Sequence, residues 1–281
     1  MTPSSATKRK LINRMVQVIA TSASAVGIFF LGWILYEVIG RGLAALNWDF
    51  FTKLPKPPMT PGGGLANAML GTLLMTLLAT LIGVSTGMAA GIYLAEFGKH
   101  SRLGACVRFT VNVLMGIPSI IIGLFVYSIL VLPFKHFSGY AGGVALAILM
   151  FPVVARTTED MLGLVPSALR EAALCIGAPR WLATLTIIFR AAKNGLITGV
   201  LLSVARVSGE TAPLLFTALN SPYLLKSLNE PTANLTVTIY QYAMSPYRDW
   251  NQMAWGASLV IMATVLALNV VARFFVKEAK A

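Results

Sequence analysis

The chain has 281 residues, of which 57% are hydrophobic and only 11% are charged. Soluble domains carry about a quarter charged residues, so this composition excludes a soluble globular protein and indicates an integral membrane protein. A formal net charge of +12 would suit a nucleic-acid partner. The basic residues, however, are spread in small groups beside apolar segments rather than gathered on one face. We therefore expect no nucleic acid to bind.

Six apolar segments are long enough to cross a bilayer core, which requires about 20 helical residues. They occupy residues 15–39, 70–95, 111–132, 140–155, 195–219 and 253–275. The sequence thus predicts an all-α, polytopic membrane protein with six transmembrane helices. The fourth segment is the shortest, and we expect it to continue as a helix beyond Arg156.

The distribution of lysine and arginine predicts the orientation. Of the 22 basic residues, fifteen flank one side of the predicted membrane, six flank the other, and Arg206 alone falls inside a segment. The positive-inside rule then places both termini in the cytoplasm. The first apolar run is too long for the core of a signal peptide, so we interpret it as an uncleaved anchor.

These assignments divide the chain into regions of different character. The predicted regions are a basic cytoplasmic N-terminus (1–14), the first transmembrane anchor (15–39), a periplasmic loop rich in proline and glycine (40–69), a core of five transmembrane helices (70–276) and a cytoplasmic tail (277–281). Within the core, residues 156–193 form a cytoplasmic segment and residues 220–252 a second periplasmic loop.

Motifs for nucleotide, metal or nucleophilic chemistry are missing from the sequence. There is no G-x-x-x-x-G-K-[ST], no H-E-x-x-H and no G-x-S-x-G. Cys106 and Cys175 both fall on the predicted cytoplasmic side, where a disulfide is not expected. We therefore expect no cofactor and no metal on this chain. A membrane-embedded enzyme, which would carry more intramembrane polar groups, is a distant alternative.

Arg206 lies near the middle of the predicted fifth helix, where an arginine costs about 2.5–3.5 kcal/mol on insertion scales and marks a function by default. Glu210 follows four residues later, a spacing that allows an ion pair on one helix face. A guanidinium suits tetrahedral oxyanions, because it donates forked hydrogen bonds. We expect Arg206 to attract an anion and Glu210 to hold the arginine in place. The alternative is a purely structural ion pair.

Pro213 is expected to interrupt the same helix, because it cannot donate to the carbonyl of Gly209. Thr211 adds a hydroxyl beside this loosened turn. Irregular backbone at membrane depth persists only where protein or water covers it. Gly209 and Pro213 therefore predict a helix break beside a solute pathway, and Thr211 is expected to join Arg206 and Glu210 in substrate translocation.

The predicted cytoplasmic segment contains a short helix that ends in a glycine turn. Glu171, Ala172 and Ala173 are followed by Gly177, with Pro179 close behind, which is typical of a helix end. The small residues offer a surface for close packing against another protein. An amphipathic connector resting on the bilayer is the alternative.

The pattern Glu171-Ala172-Ala173-x-x-x-Gly177 resembles the EAA loop of ABC-importer permeases, although Phe189-Arg190 stand where that family has Leu-Pro. Six further segments extend the resemblance to the A-type permease subunits of phosphate-specific ABC importers. They read GGGLANAMLGT, AGIYLAEFG, PSIIIGLFVY, RTTEDMLGLVPSALREAALCIGAPRW, ARVSGETAPLLFTAL and PTANLTVTIYQYAMSP.

The resemblance implies an import complex in the bacterial inner membrane. Its expected partners are a homologous second permease, two cytoplasmic ATPases that bind ATP–Mg, and a periplasmic phosphate-binding protein. It also implies that the EAA loop docks on an ATPase and that Arg206, with Glu210, takes part in phosphate passage. An ABC permease for another oxyanion or small solute remains open, as does a stand-alone secondary transporter.

Overall fold

The computed structural model describes residues 3–60 and 62–277, with side chains from 8 to 60 and from 62 to 274. All regular secondary structure in these residues is helical, which confirms the predicted all-α class. The helices are α1 (Pro3–Leu43), α2 (Trp48–Thr52), α3 (Ala66–Ile92), α4 (Arg102–Gly116), α5 (Ser119–Val126), α6 (Leu132–Phe134), α7 (Gly139–Gly163), α8 (Ser167–Cys175), α9 (Arg180–Ala183), α10 (Phe189–Val207), α11 (Ala212–Thr217), α12 (Leu235–Ala243) and α13 (Arg248–Lys277).

Three π-helical turns extend or join these helices. They are Tyr93–Phe97 after α3, Tyr127–Val131 between α5 and α6, and Thr184–Ile188 between α9 and α10. Within the described residues, five helices are long and apolar enough to cross a membrane, or six if one bent pair counts as a single span. The chain is therefore a multi-pass membrane protein. Of the predicted tail 277–281, only Lys277 lies among the described residues.

The predicted third span, 111–132, is wrong as a straight helix. The chain bends by 107° between α4 and α5. Pro118 explains the bend, because a proline excludes the preceding residue from helical geometry. Ile117 accordingly has extended backbone angles, with φ −76° and ψ 130°.

The predicted fifth span, 195–219, is divided in the structure: α10 ends at Val207 and α11 begins at Ala212, on either side of the interruption expected at Gly209 and Pro213. The helix starts earlier, and the apolar stretch Arg180–Val207 runs for 28 residues through the π-helical turn. The helix is then interrupted at residues 208–211, and α11 follows as a separate short helix. The fourth span, by contrast, continues past Arg156 to Gly163, as the sequence predicts.

Helices α3 and α7 form the closest pair in the bundle. Glycines at 83, 87 and 91 face α7. A Cβ added at Gly87 would stand 2.9 Å from the carbonyl oxygen of Phe151, and one at Gly91 would stand 2.5 Å from Thr158 Cβ. Only glycine permits this approach, because the two backbones leave no room for a methyl group. The pair therefore forms a tightly packed unit at the centre of the chain.

Helix α1 stands apart from this unit. The most apolar part of the helix has no buried residue, and its contact with the bundle lies at its end, beside α13. There a Cβ on Gly42 would fall 2.7 Å from the Cβ of Leu259. Exposed apolar side chains along the rest of α1 suit contact with lipid.

Candidate translocation and coupling sites

Arg206 occupies the last turn of α10, and its side chain is exposed on the isolated chain. None of the ion pairs among the described residues involves it. The nearby Leu202 is also exposed, at 48%. The guanidinium thus lies at the surface of the chain with its forked donors uncommitted to a carboxylate.

The predicted ion pair between Arg206 and Glu210 is wrong. Helix α10 ends at Val207, so the two residues do not share a helix face. Instead, the N–H of Gly209 donates to the Arg206 carbonyl over 3.2 Å, and the N–H of Glu210 donates to the Val207 carbonyl over 3.1 Å. Such tightened bonds complete the last turn of many helices.

Thr236 holds the interrupted segment in place. Its hydroxyl donates to the carbonyl of Glu210 over 2.8 Å. Thr236 lies in the first turn of α12, where Asn234 caps the helix by accepting from the N–H of Val237 over 2.8 Å. Sequence reasoning missed this link. The sequence does contain an asparagine directly before an apolar helical run, which is typical of an N-cap. This pattern does not reveal that Thr236 donates to the carbonyl of a residue far away in the chain.

Pro213 begins a helix rather than only breaking one. It lies in the first turn of α11, where a missing N–H costs no internal hydrogen bond. The Thr211 carbonyl accepts the N–H of Leu214 over 3.1 Å, which starts this helix. Gly209 is exposed, whereas Glu210 and Thr211 are partly buried. The predicted site residues therefore lie along one continuous stretch, from the end of α10 to the start of α11.

The residues of the EAA pattern lie on α8 and on the turn that follows it. Glu171 and Ala172 are exposed, while Ala173 is buried. Gly177 has a left-handed φ of 82°, which glycine adopts without steric cost. Its N–H donates to the Leu174 carbonyl over 3.0 Å, and the N–H of Ala178 donates to the Ala173 carbonyl over 3.2 Å. These two hydrogen bonds together form a Schellman motif at the end of the helix.

Two ion pairs at the α8 end of the bundle were not foreseen from the sequence. Arg170 pairs with Glu96 over 2.8 Å, and Arg108 pairs with Glu159 over 2.6 Å. The members of each pair lie 74 and 51 residues apart in the chain, respectively. No local spacing rule reaches that far. All four side chains are at least 72% buried, because their exposed fractions range from 10% to 28%.

At the opposite end of the bundle, the segments predicted as periplasmic loops pack on each other. Trp250 donates to the Lys56 carbonyl over 3.3 Å and stacks on Tyr242 with ring centres 4.5 Å apart. Asn67 donates to the Ser221 carbonyl over 2.7 Å. Burial raises the pKa of the Tyr242 phenol. A cavity of about 540 Å³ lies between these segments.

The fold resembles solved transporters. In an inward-facing methionine ABC transporter, MetNI, one chain aligns with a TM-score of 0.65 and 20% identity over 76% of this chain and 95% of that one. A bacterial alginate ABC transporter, solved with a periplasmic protein bound to an alginate pentasaccharide, aligns with a TM-score of 0.66 and 16% identity over 94% of both chains. At these identities the likeness concerns the fold.

Comparison with related sequences identifies the family. A family model described as binding-protein-dependent transport system inner membrane component matches residues 87–278. The phosphate transport system permease protein PstA of Haemophilus influenzae is 49% identical over 97% of this chain and 96% of that protein. The PstA protein of Yersinia pestis is 46% identical over 97% and 92%, respectively. A probable PstA protein of Methanocaldococcus jannaschii is 35% identical over 97% and 96%.

The resemblance that the sequence motifs predicted is thereby confirmed. This chain belongs to the family of binding-protein-dependent transport system inner membrane components and, within it, to the PstA group of phosphate transport permeases.

Proposed function

We propose that this chain is a permease subunit of an ATP-driven importer of inorganic phosphate in the bacterial inner membrane. The observation that carries the proposal is Arg206, an exposed guanidinium without a carboxylate partner, at the point where α10 ends. The names of its relatives supply the substrate class. The proposed complex adds a homologous second permease, two ATPases and a periplasmic phosphate-binding protein.

In the proposed complex Arg206 would be covered rather than exposed. An arginine facing lipid is costly, so intramembrane arginines face a protein-lined or water-filled space. The second permease would supply the other wall of that space. A guanidinium with no internal carboxylate keeps its donors for a phosphate ion, which accepts forked hydrogen bonds. The missing ion pair with Glu210 thus favours the transport role of Arg206 over the structural alternative.

The residues around Arg206 have different proposed roles. Gly209 and Pro213 bound the interruption between α10 and α11, and this non-helical stretch would line the path. Glu210 and Thr211 lie within it, partly buried, and would shape the local polarity. Because Thr236 anchors the Glu210 backbone, the stretch has a defined position rather than free ends.

Coupling to ATP hydrolysis is proposed for α8. Glu171 and Ala172 lie exposed on this helix, available to a groove on an ATPase. ATP and Mg²⁺ would bind to that partner, and hydrolysis would belong to it. The distribution of basic residues supports a cytoplasmic position for the α8 end of the bundle, where the ATPases would be.

The test is uptake of labelled phosphate in cells that lack this gene, complemented with wild type, Arg206→Gln or Arg190→Gln. Arg190 is a matched control because it is also exposed on α10, about 24 Å away at 1.5 Å per residue. We expect Arg206→Gln to reduce uptake to background with an intact complex, and Arg190→Gln to transport.

The outcomes are distinct. If wild type restores no uptake, the phosphate assignment is wrong and another solute must be tested. If Arg206→Gln transports like wild type, the assignment of Arg206 to the path is wrong. Excess unlabelled sulfate should not compete with labelled phosphate, whereas competition by sulfate would favour a permease for oxyanions in general. Pull-down of the ATPase subunits verifies that each variant assembles.

A further inference from the structure

Arg170, at the centre of α8, points into the protein and contacts the ends of two membrane helices. Its Nη2 and Nε donate to Oε1 of Glu96 over 2.8 and 3.1 Å. Nη2 also donates to the Leu162 carbonyl over 2.6 Å, and Nη1 donates to the Val165 carbonyl over 2.5 Å. Glu96 belongs to the π-helical turn that ends α3, and Leu162 to the last turn of α7. One guanidinium therefore ties α8 to both helices.

This contact is shielded from water. The Arg170 side chain is 20% exposed and that of Glu96 is 10% exposed. Exposed ion pairs are screened and contribute little, whereas removing one partner of a buried pair leaves an uncompensated charge. The rest of α8 adds little anchoring, since Ala173 is its one buried residue among those described. Arg170 is thus the main polar link between α8 and the membrane helices.

The two helices that Arg170 holds also pack tightly against each other. Glycines 83, 87 and 91 bring α3 against α7 with no room for a methyl group. Closely packed interfaces of this kind transmit displacement rather than deform. A pull on Glu96 and Leu162 would therefore move α3 and α7 as a single body.

We infer that Glu96 and Arg170 form the joint that carries motion of α8 into the α3–α7 pair, with Arg170 acting as a positioning residue for transport. The inference rests on the proposed function, in which α8 docks on an ATPase. Without the joint, only residues 164–166 would connect α8 to α7, and α3 and α7 would follow a shift of α8 less completely. Hydrolysis would continue, and the path would open less often per ATP.

The first experiment uses the complete importer in proteoliposomes and measures phosphate taken up per ATP hydrolysed. The variants are Arg170→Gln, Glu96→Gln and the double variant. Arg156→Gln is the control, because Arg156 also pairs with acids, Asp160 over 3.1 Å and Glu159 over 3.8 Å, but is 46% exposed. We expect each single variant to assemble, to hydrolyse ATP and to lose about tenfold in uptake per ATP, within the range of coupling between sites. The control should match wild type.

Non-additivity supplies a further criterion. If the two residues act as one joint, the double variant should be no worse than either single variant. Unchanged uptake per ATP in both single variants would overturn the inference. So would loss of the ATPase subunits from the purified complex, because this result would assign the pair to assembly rather than to coupling.

A second readout does not depend on phosphate. Spin labels at Lys99→Cys and Ser167→Cys, both exposed positions, report the distance between the end of α3 and α8. The native Cys106 and Cys175 are first replaced by serine. We expect the distance to be the same with and without ATP when Arg170 is present, and to change with ATP in Arg170→Gln. If the distance in Arg170→Gln is the same with and without ATP, the inference that the two residues form a joint is wrong. A wild-type complex that imports no phosphate would instead contradict only the proposed function.

Discussion

Gly123 packs directly on Pro213, so closely that a Cβ at Gly123 would stand 2.6 Å from the Cα of Pro213. Gly123 lies on α5, just after the bend at Pro118, and Pro213 lies on α11, just after the interruption at 208–211. The short helices that follow the bend and the interruption are therefore in contact. Each short helix is held by the other, which explains how both persist inside a membrane protein.

This contact predicts that Gly123→Ala destabilises the fold. A methyl group at that position would push α5 away from α11, and such overpacking costs about 1–3 kcal/mol. The matched control is Gly116→Ala, since no atom lies within 4 Å of a Cβ added there. Thermal unfolding of the purified complex measures the difference. A Gly123→Ala complex as stable as the Gly116→Ala complex would show that the two helices can separate at little cost.

The anchor at Thr236 predicts a specific effect of Thr236→Val. The substitution keeps the size of the side chain but removes the hydroxyl, which donates to the Glu210 carbonyl over 2.8 Å and lies 3.0 Å from Oδ1 of Asn234. An unsatisfied buried polar group costs about 1–3 kcal/mol, so we expect lower stability and slower phosphate uptake. Thr238→Val is the control, because Thr238 is also buried but bonds within α12, to the Asn234 carbonyl. Equal losses of stability and uptake in the two variants would mean that the hydrogen bond to the Glu210 carbonyl contributes no more than the bond within α12.

The glycine turn after α8 predicts different effects for two substitutions of Gly177. The left-handed backbone costs about 1–2 kcal/mol for an ordinary residue, and asparagine tolerates it better than alanine. No neighbouring atom lies within 4 Å of a Cβ added at Gly177, so backbone strain is the only expected penalty of these substitutions. Gly177→Ala should therefore weaken co-purification of the ATPase more than Gly177→Asn. The opposite order would point to a contact with the partner rather than to the turn.

The predicted orientation can be tested with the two free cysteines. Cys106 and Cys175 are both exposed in the chain and both fall on the predicted cytoplasmic side. We expect a membrane-impermeant maleimide to label them only after permeabilisation of spheroplasts. A cysteine introduced at Asn229, an exposed residue before α12, should react in intact spheroplasts. Labelling in the reverse pattern would invert the assignment of both termini.

Part of the structural detail was recoverable from local sequence. The bend at Pro118 follows from the restriction that proline places on the residue before it, but the apolar run around Pro118 concealed that restriction. The end of α8 at Gly177 was predicted correctly, because a helix end followed by Gly and then Pro depends only on neighbouring residues. An interruption near Gly209 and Pro213 was expected from the missing N–H of Pro213, but the exact end of α10 at Val207 was not predicted, since residues 208–211 are fixed partly by Thr236.

By itself, the sequence determined the all-α membrane class, the approximate position of each apolar segment, the family and the residues most worth testing. These properties depend on composition, on length and on motifs that are continuous in the chain. Only the tertiary structure decided that Arg206 is unpaired, that Glu210 is held through its backbone, and that Arg170 joins α8 to Glu96. The reason is physical: ion pairs between residues 74 positions apart depend on how the helices pack, and packing is a property of the whole fold.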